Sequence, residues 1–154
     1  MKNFINISDI SLEDLRKILK DARTRKNKRQ KFQTLEPDKG LPLKNKLLFQ
    51  IYERESLRTR LSFFIAIKQL GGEVINIRAN ELHFGKGGES LSDTAKILST
   101  YGDGFMLRTD NDNKIFEFSK NLSIPFINLL SPSSHPCQVL SDIFTIEEIK
   151  KKKI

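Results

Sequence analysis

Short apolar runs alternate with helical segments along most of the chain, and this alternation constrains the fold more than any other feature of the sequence. Runs of this kind, rich in branched and aromatic residues, are typical of buried strands. The predicted strands are residues 46–52, 74–78, 105–108 and 125–129, and the predicted helices are 57–70, 91–101, 110–120 and a last helix from 135. Strands that alternate with helices form parallel sheets. The sequence therefore predicts an α/β fold in three layers, a parallel sheet of about four strands with helices on both faces.

Polar side chains that could hold an anion follow three of the predicted strands. The 56–60 segment, Ser-Leu-Arg-Thr-Arg, follows the first strand, Arg108 ends the third, and His135 and Gln138 follow the fourth. The carboxyl ends of parallel strands lie at one edge of the sheet, here called the carboxyl edge, and ligands bind there where the strand order reverses. We therefore expect these segments to converge. An arginine at the end of an apolar strand also needs an anionic partner, because removing an unpaired charge from water is costly.

Two interpretations of the 56–60 segment are open at this level. Ser56 lies where a strand turns into a helix, and the first N–H groups of a helix have no partner within it and carry the positive end of its dipole. Two hydroxyls and two arginines at such a position favour a site for phosphate or carboxylate. The alternative is an ordinary serine N-cap followed by surface arginines.

The excess positive charge is concentrated in a helix that precedes the first strand. The chain has 27 Lys and Arg residues against 19 Asp and Glu residues, a net charge of +8, and a basic run occupies residues 16–31. Such a run can bind nucleic acid. We favour a solvated helix face and expect no nucleic-acid partner, because Phe32 is the only aromatic residue in the neighbourhood that could stack on a base.

Cysteine content and hydropathy indicate a cytoplasmic protein with no membrane partner. The single cysteine, Cys137, excludes an intrachain disulfide and suits a reducing compartment. We expect it to be a small packing residue, since nothing in the sequence marks it as an activated nucleophile. The first residues lack the apolar stretch of a signal peptide, and no run approaches the length that spans a membrane.

The motifs occur in the order and approximate spacing of a known enzyme family. They are Ser56 to Arg60, Leu70-Gly71-Gly72, Glu89-Ser90 with Asp93-Thr94-Ala95, Arg108-Thr109, and His135-Pro136-Cys137-Gln138. With this set the chain resembles the ornithine and aspartate carbamoyltransferases over nearly its whole length. The first and last motifs together are highly specific. Cysteine in the last motif resembles the ornithine enzymes, whereas the aspartate enzymes more often have threonine there.

The resemblance implies that residues 1–154 form the carbamoyl phosphate-binding domain of such an enzyme. It implies that the phosphate is held by Ser56, the backbone of Leu57, Arg58 and Thr59. It implies that the carbamoyl group and adjoining oxygens are held by Arg108, His135 and Gln138. The catalytic residues that it implies are Arg58, Thr59, Arg108 and His135. His83 matches a position that reaches into the site of a neighbouring subunit, so the expected assembly is a homotrimer.

The implied reaction is transfer of the carbamoyl group to the δ-amine of ornithine, which gives citrulline and phosphate in arginine biosynthesis. No metal and no cofactor is expected. The family's second domain, which binds the amino acid, has no counterpart in these 154 residues, so ornithine binding depends on a missing part. We interpret the chain as an enzyme fragment that is weakly active or inactive alone.

Two departures from the family pattern leave alternatives open. Phe64 stands where the family usually has glutamate, and Glu55 directly precedes the phosphate motif. A negative charge beside an anion site weakens binding unless it points away. One alternative is therefore a non-catalytic fragment that trimerises without binding ligand. Another is a domain of an aspartate or acylornithine carbamoyltransferase, because the missing part selects the amine.

Overall fold

The chain forms four strands and five α-helices over the residues that the computed structural model describes, 3–78 and 89–150. The strands are β1 (Leu47–Tyr52), β2 (Glu73–Arg78), β3 (Gly104–Arg108) and β4 (Phe126–Leu130). The helices are α1 (Leu12–Lys28), α2 (Leu57–Gln69), α3 (Leu91–Tyr101), α4 (Asp112–Asn121) and α5 (Pro136–Lys150). Short 3-10 turns occupy Ile7–Asp9 and Arg29–Lys31.

The strands form one parallel sheet in the order β2-β1-β3-β4. Because the chain leaves β1 toward β2 and then crosses back to β3, right-handed connections place α2 on one face and α3 and α4 on the other. The packing agrees, with Ile67 of α2 in one buried cluster and Ala95 and Phe118, from α3 and α4, in the other. The predicted α/β fold class is therefore confirmed.

The elements begin and end within about two residues of the predicted positions, because capping residues fix them. The side chains of Ser11 and Ser90 accept hydrogen bonds from Asp14 N and Asp93 N at the starts of α1 and α3. After α2 the backbone turns at Gly71, whose φ of 85° favours glycine. A β-carbon there would also lie 2.8 Å from the Leu41 side chain.

The larger core lies between the sheet and the α3–α4 layer. Three phenylalanine rings pack at its centre, with centroid distances of 4.8 Å between Phe105 and Phe118 and 5.3 Å between Phe105 and Phe126. All three side chains are almost fully buried. The smaller core, under α2, contains Ile67 and Met106. Because the sheet is packed on both faces, its strands are held rigidly, and residues at the strand ends can be positioned accurately enough to form a binding site.

The segment before α1 pairs with the outer edge of β4, a contact that the sequence pattern does not predict. Phe4 N donates to Phe126 O at 2.7 Å, and Asn128 N donates to Phe4 O at 2.9 Å. Phe4 and Ile127 form an isolated parallel bridge. The N-terminal segment therefore covers part of an exposed strand edge.

The basic run of α1 forms ion pairs within the chain. Arg16 and Arg23 both contact the carboxylate of Glu147 in α5, which is almost fully buried. Arg25 and Arg29 both contact Asp38, in the loop before β1. These contacts attach α1 and the turn after it to α5 and to the loop before β1. The predicted solvated face therefore describes only part of the run, since these four arginines are paired within the chain. Within the described ranges, no helix is both long and apolar enough to span a bilayer.

Candidate functional site

The strand order reverses between β1 and β3, and the candidate site lies at the carboxyl edge there. Tyr52, the last residue of β1, is the register partner of Arg108, the last residue of β3. The 56–60 segment follows β1 and forms the first turn of α2. The sheet topology thus brings the first two predicted segments together, as expected for a ligand site in an open parallel sheet.

Ser56 directs its side chain toward Arg108. It is the N-cap residue of α2 and its backbone is extended, but its hydroxyl makes no capping hydrogen bond. Instead, Arg108 Nη1 donates to Ser56 Oγ at 3.2 Å. The first turn of α2 contains no acidic residue, so its own side chains do not neutralise the positive end of the helix dipole. An ordinary N-cap does not describe this arrangement.

Arg108 has an N–H donor that makes no hydrogen bond within the described part of the chain. Its Nε is buried and has no hydrogen-bond partner there. Buried donors in native proteins are nearly always paired, so an unpaired one at a strand end calls for an explanation. Arginine presents its N–H groups in a fixed fork that matches phosphate and carboxylate oxygens. Arg108 is therefore suited to hold an anion beside Ser56.

His135 lies within the electrostatic reach of Arg108. Burial lowers the pKa of His135 and the charge of Arg108 lowers it further, while Asp142 acts in the opposite direction. The imidazole is therefore neutral at pH 7, with one N–H donor and one acceptor nitrogen. Its Nδ1 is buried without a hydrogen-bond partner among the described residues. Ser56 and Arg108 are thus in contact, and His135, from a third segment, lies near enough for the charge of Arg108 to act on its imidazole.

The other predicted site residues have different surroundings. Leu57 and Arg58 lie on the exposed side of the first turn of α2, and Thr59 is half-buried beside them. Arg58 makes no ion pair in the described ranges. Gln138 is exposed, and its Nε2 donates to Asp142 Oδ1 at 2.8 Å within α5 rather than toward Arg108. His83 lies outside the described residues.

A cleft of about 770 Å³ opens beside the 56–60 segment. Glu55 and Phe64, the two departures from the family pattern, both contribute to its lining together with Tyr52 and Arg60. Burial raises the pKa of Tyr52 to about 12, against the opposing charges of Arg60 and Arg108. The phenol therefore stays protonated, and it donates to Gln50 Oε1 at 3.3 Å. Glu55 is exposed, so water screens its charge.

Glu53 joins the strand ends that carry the site, a role that the sequence analysis missed. Its carboxylate accepts hydrogen bonds at 2.5 Å from both Thr109 Oγ1 and Lys114 Nζ. Its backbone N donates to Arg108 O at 3.0 Å. These contacts hold the end of β1 against the end of β3. The signal in the sequence is an acidic residue directly after a buried strand, which burial forces to find partners.

Comparison with known proteins then adds a family assignment. The model of the carbamoyl-P binding domain of aspartate/ornithine carbamoyltransferases matches residues 2–148 of the chain. The chain belongs to the aspartate/ornithine carbamoyltransferase family.

Relatives from both branches of this carbamoyltransferase family are similar to the chain. Ornithine carbamoyltransferase from Rhizobium johnstonii is 41% identical over 147 residues, which are 96% of this chain and 46% of the relative. The structure of ornithine carbamoyltransferase from Pyrococcus furiosus superposes with a TM-score of 0.87 at 35% identity, covering 98% of this chain and 46% of that one. The catalytic subunit of M. jannaschii aspartate transcarbamoylase gives 0.78 at 33% identity, covering 99% and 48%. The chain thus spans about half the length of these relatives.

In this carbamoyltransferase-family chain Cys137 is not set up as a nucleophile, and no metal centre is evident over the described ranges. Burial raises the pKa of the Cys137 thiol to about 11, so the reactive thiolate is scarce near neutral pH. Its Sγ lies 3.9 Å from Asn128 O, which agrees with the expected packing role. Among the same residues, no group of three or more His, Cys, Asp or Glu side chains is arranged to hold a metal ion.

The lowered pKa of His135 makes stability depend on pH. As the pH falls, the unfolded chain takes up a proton on His135 near the ordinary pKa of 6.5, before the folded chain does. The contribution of His135 to the free energy of unfolding is therefore fully present above about pH 7. It decreases as the pH falls through 6.5 toward the pKa of His135 in the folded chain. We expect urea unfolding at pH 7.5, 6.5 and 5.5 to show this decrease, with a smaller decrease in His135→Asn. Both proteins keep His83, so equal decreases in the two would contradict the prediction.

Proposed function

We propose that this chain binds carbamoyl phosphate at the carboxyl edge between β1 and β3. The observation that carries the proposal is the geometry of Arg108, which donates to Ser56 Oγ while its buried Nε has no partner in the described ranges. A guanidinium, a hydroxyl and a helix start together provide charge and directed donors for an oxyanion. The match to the carbamoyl-P binding domain supports this ligand among the possible anions.

The proposed roles divide the ligand between two parts of the site. The phosphate is held by Ser56, the backbone N–H of Leu57, Arg58 and Thr59 at the start of α2. The carbamoyl group is held by Arg108, His135 and Gln138. For Gln138 this requires its amide to leave Asp142, which lies one helix turn away. His83 is assigned to the site of a neighbouring subunit in a homotrimer.

In the complete enzyme we propose transfer of the carbamoyl group to the δ-amine of ornithine. The neutral amine attacks the carbamoyl carbon, a C–N bond forms, and the carbonyl oxygen becomes an oxyanion. The C=O bond then re-forms as the C–O bond to phosphate breaks, a proton passes from the attacking nitrogen to the departing phosphate, and citrulline and hydrogen phosphate are released. Donors preformed around the oxyanion lower the barrier, and removing one such donor typically costs ~10²–10³ in rate. Thr59, Arg108 and the neutral imidazole of His135 are the proposed donors.

The choice of ornithine rests on the relatives and on Cys137. The curated relatives that match at 38–42% identity are named ornithine carbamoyltransferase. Among the solved structures, ornithine enzymes at 24–36% identity and the aspartate transcarbamoylase subunit at 33% are similar to about the same degree, so the curated relatives carry this choice. The amine would bind to the part of the relatives that lies beyond this chain. The same proposal includes four further points: ornithine binding in that part, assembly into a trimer, a cytoplasmic location and a role in arginine biosynthesis.

A non-catalytic trimerising module is the second candidate, and Glu55 is the observation that favours it. This carboxylate lines the cleft next to Ser56, and the second candidate requires that its charge, although screened by water, is enough to prevent anion binding. The two candidates differ in one measurable property. The first requires saturable binding of carbamoyl phosphate, and the second requires trimers that do not bind it.

Calorimetric titration of the chain with carbamoyl phosphate tests the proposed function. We expect saturable binding, with inorganic phosphate binding more weakly because it lacks the carbamoyl group. Arg58→Ala should weaken carbamoyl phosphate binding by about 10- to 100-fold, the usual effect of losing a charged hydrogen bond. Lys120→Ala removes the same charge from the last turn of α4, at the opposite edge of the sheet, and serves as the control. Absence of binding together with trimers in sedimentation would favour the non-catalytic module.

A further inference from the structure

We propose that Asn128 is a positioning residue for His135, acting through the loop that joins β4 to α5. This inference rests on the proposed role of His135 in the site. Asn128 lies in β4, does not belong to any of the motifs that identify the family in this sequence, and is fully buried. A polar side chain without solvent exposure must obtain its hydrogen bonds from the protein, so its partners indicate its role.

The N–H donors of the Asn128 amide contact the loop that joins β4 to α5 and the N-terminal segment beside it. Nδ2 lies 3.2 Å from Ser131 Oγ and 3.3 Å from Ser134 O, the two ends of the turn that precedes His135. Its third contact, at 3.2 Å, is Ile5 O in the N-terminal segment. The amide acceptor, Oδ1, has no partner among the described residues. Two of the partners are backbone carbonyls, which can only accept, so they fix which side of the amide carries the N–H groups. In this orientation the donors are paired and the acceptor is not.

The loop is held at further points, so that little freedom remains for the residue that follows it. Ser131 N donates to Ser134 O at 2.9 Å, and Ser134 Oγ donates to Ile5 O at 3.2 Å. Ser133 Oγ donates to Asp112 Oδ1 at 2.9 Å, at the start of α4. Asn128 lies at the centre of these contacts and joins β4, the loop and the N-terminal segment.

His135 follows this turn directly and precedes Pro136, the first residue of α5. Its carbonyl accepts hydrogen bonds from Gln138 N and Val139 N at 3.1 and 3.2 Å. The backbone of His135 is therefore fixed by the loop on one side and by the helix on the other. Arg108 and Asp142 are the charged groups that act on its imidazole, and their effect depends on where the loop places it. Loss of the Asn128 donors should therefore let the imidazole move away from Arg108.

The test measures His135 directly by NMR titration of its imidazole C–H signal, assigned with His135→Asn. In Asn128→Ala we expect the pKa of His135 to rise toward its ordinary value of 6.5, because the ring becomes more exposed and more distant from Arg108. We also expect carbamoyl phosphate to bind about tenfold more weakly, the usual effect of losing one hydrogen bond to the ligand. The pKa measurement needs no ligand, so it is informative even if the proposed function fails.

Asn121→Ala is the matched control. Asn121 is a half-buried amide at the end of α4 that donates to Glu117 O at 2.8 Å and accepts from Ser92 Oγ at 2.9 Å, at the opposite edge of the sheet. It should lower thermal stability without changing the pKa of His135 or the affinity. An unchanged His135 pKa in folded Asn128→Ala, or equal changes in both variants, would overturn the proposal.

A smaller substitution decides the matter if Asn128→Ala does not fold. Ser131→Ala removes only the hydroxyl that accepts from Asn128 Nδ2 and keeps the buried amide itself. We expect a smaller rise in the pKa of His135 in the same direction. A pKa equal to that of the unmodified chain in this variant would overturn the proposal.

Discussion

Arg108→Met is expected to weaken carbamoyl phosphate binding by roughly 150-fold, the largest effect that we expect on the proposed site. The side chain is half-buried, contacts Ser56 and has an unpaired Nε in the described ranges, so the substitution removes a charge and several aligned donors. Losing one partner of a desolvated charged contact costs about 2–5 kcal/mol, and 3 kcal/mol corresponds to roughly 150-fold in affinity. Calorimetric titration measures the change.

Lys46→Met is the control for this prediction. Lys46 precedes β1 at the amino edge of the sheet and contacts Asp103, so the substitution removes one positive charge far from the site. We expect its affinity to lie within about twofold of the unmodified chain, because salt screens charges at such distances. Equal losses in the two variants would mean that net charge alone, and not the geometry of Arg108, determines binding. Unchanged affinity in Arg108→Met would remove the main support for the proposed function.

Phe118→Ala is expected to lower the free energy of unfolding by about 3–5 kcal/mol, the usual effect of deleting a buried phenylalanine ring. The Phe118 side chain is 0% exposed, and its ring lies 4.8 Å from that of Phe105 and 6.4 Å from that of Phe126. Its removal leaves a cavity where α4 meets the sheet. Urea unfolding followed by circular dichroism measures the change, which is a large fraction of the ~5–15 kcal/mol typical of a domain.

Phe116→Ala is a control from the same helix. Phe116 is 62% exposed, so its removal opens no cavity, and we expect a change within about 0.5 kcal/mol. The pair separates burial from helix propensity, because both variants replace phenylalanine with alanine in α4. If both variants lost the same free energy of unfolding, the stability of α4 would depend on its helix propensity and not on its contact with the sheet.

The fold could be predicted because local patterns and packing agree in this chain. Each apolar run is long enough for one strand, and helices α1 to α4 have a capping residue or a glycine at one end, as at Ser90 and Gly71. The convergence of Arg108 and the 56–60 segment followed from topology alone, since parallel strands place their carboxyl ends at one edge. The direct contact between Arg108 and Ser56 agrees with that expectation.

The contacts that support the site could not be predicted, because they join residues far apart in the sequence. Glu53 reaches Thr109 and Lys114, and no periodicity in the sequence records such pairs. For Gln138 the sequence predicts a contact that the structure does not show. Its motif predicts a contact with a ligand, whereas its amide donates to Asp142. A side chain adopts the nearest available partner, and the sequence does not specify which one that is.

The pairing of the N-terminal segment with β4 has a consequence for the order of events during protein synthesis. Ile5 and Asn128 are 123 residues apart, so a ribosome adding 5–20 residues per second needs roughly 6–25 s to make the second after the first. During that time Ile5 has emerged without its partner strand, and β1 to β3 are made before it can pair. The loop before His135 acquires its contacts with Ile5 only after β4 has left the exit tunnel. The loop before His135, at the carboxyl edge, is therefore among the last of the described parts of the domain to become ordered.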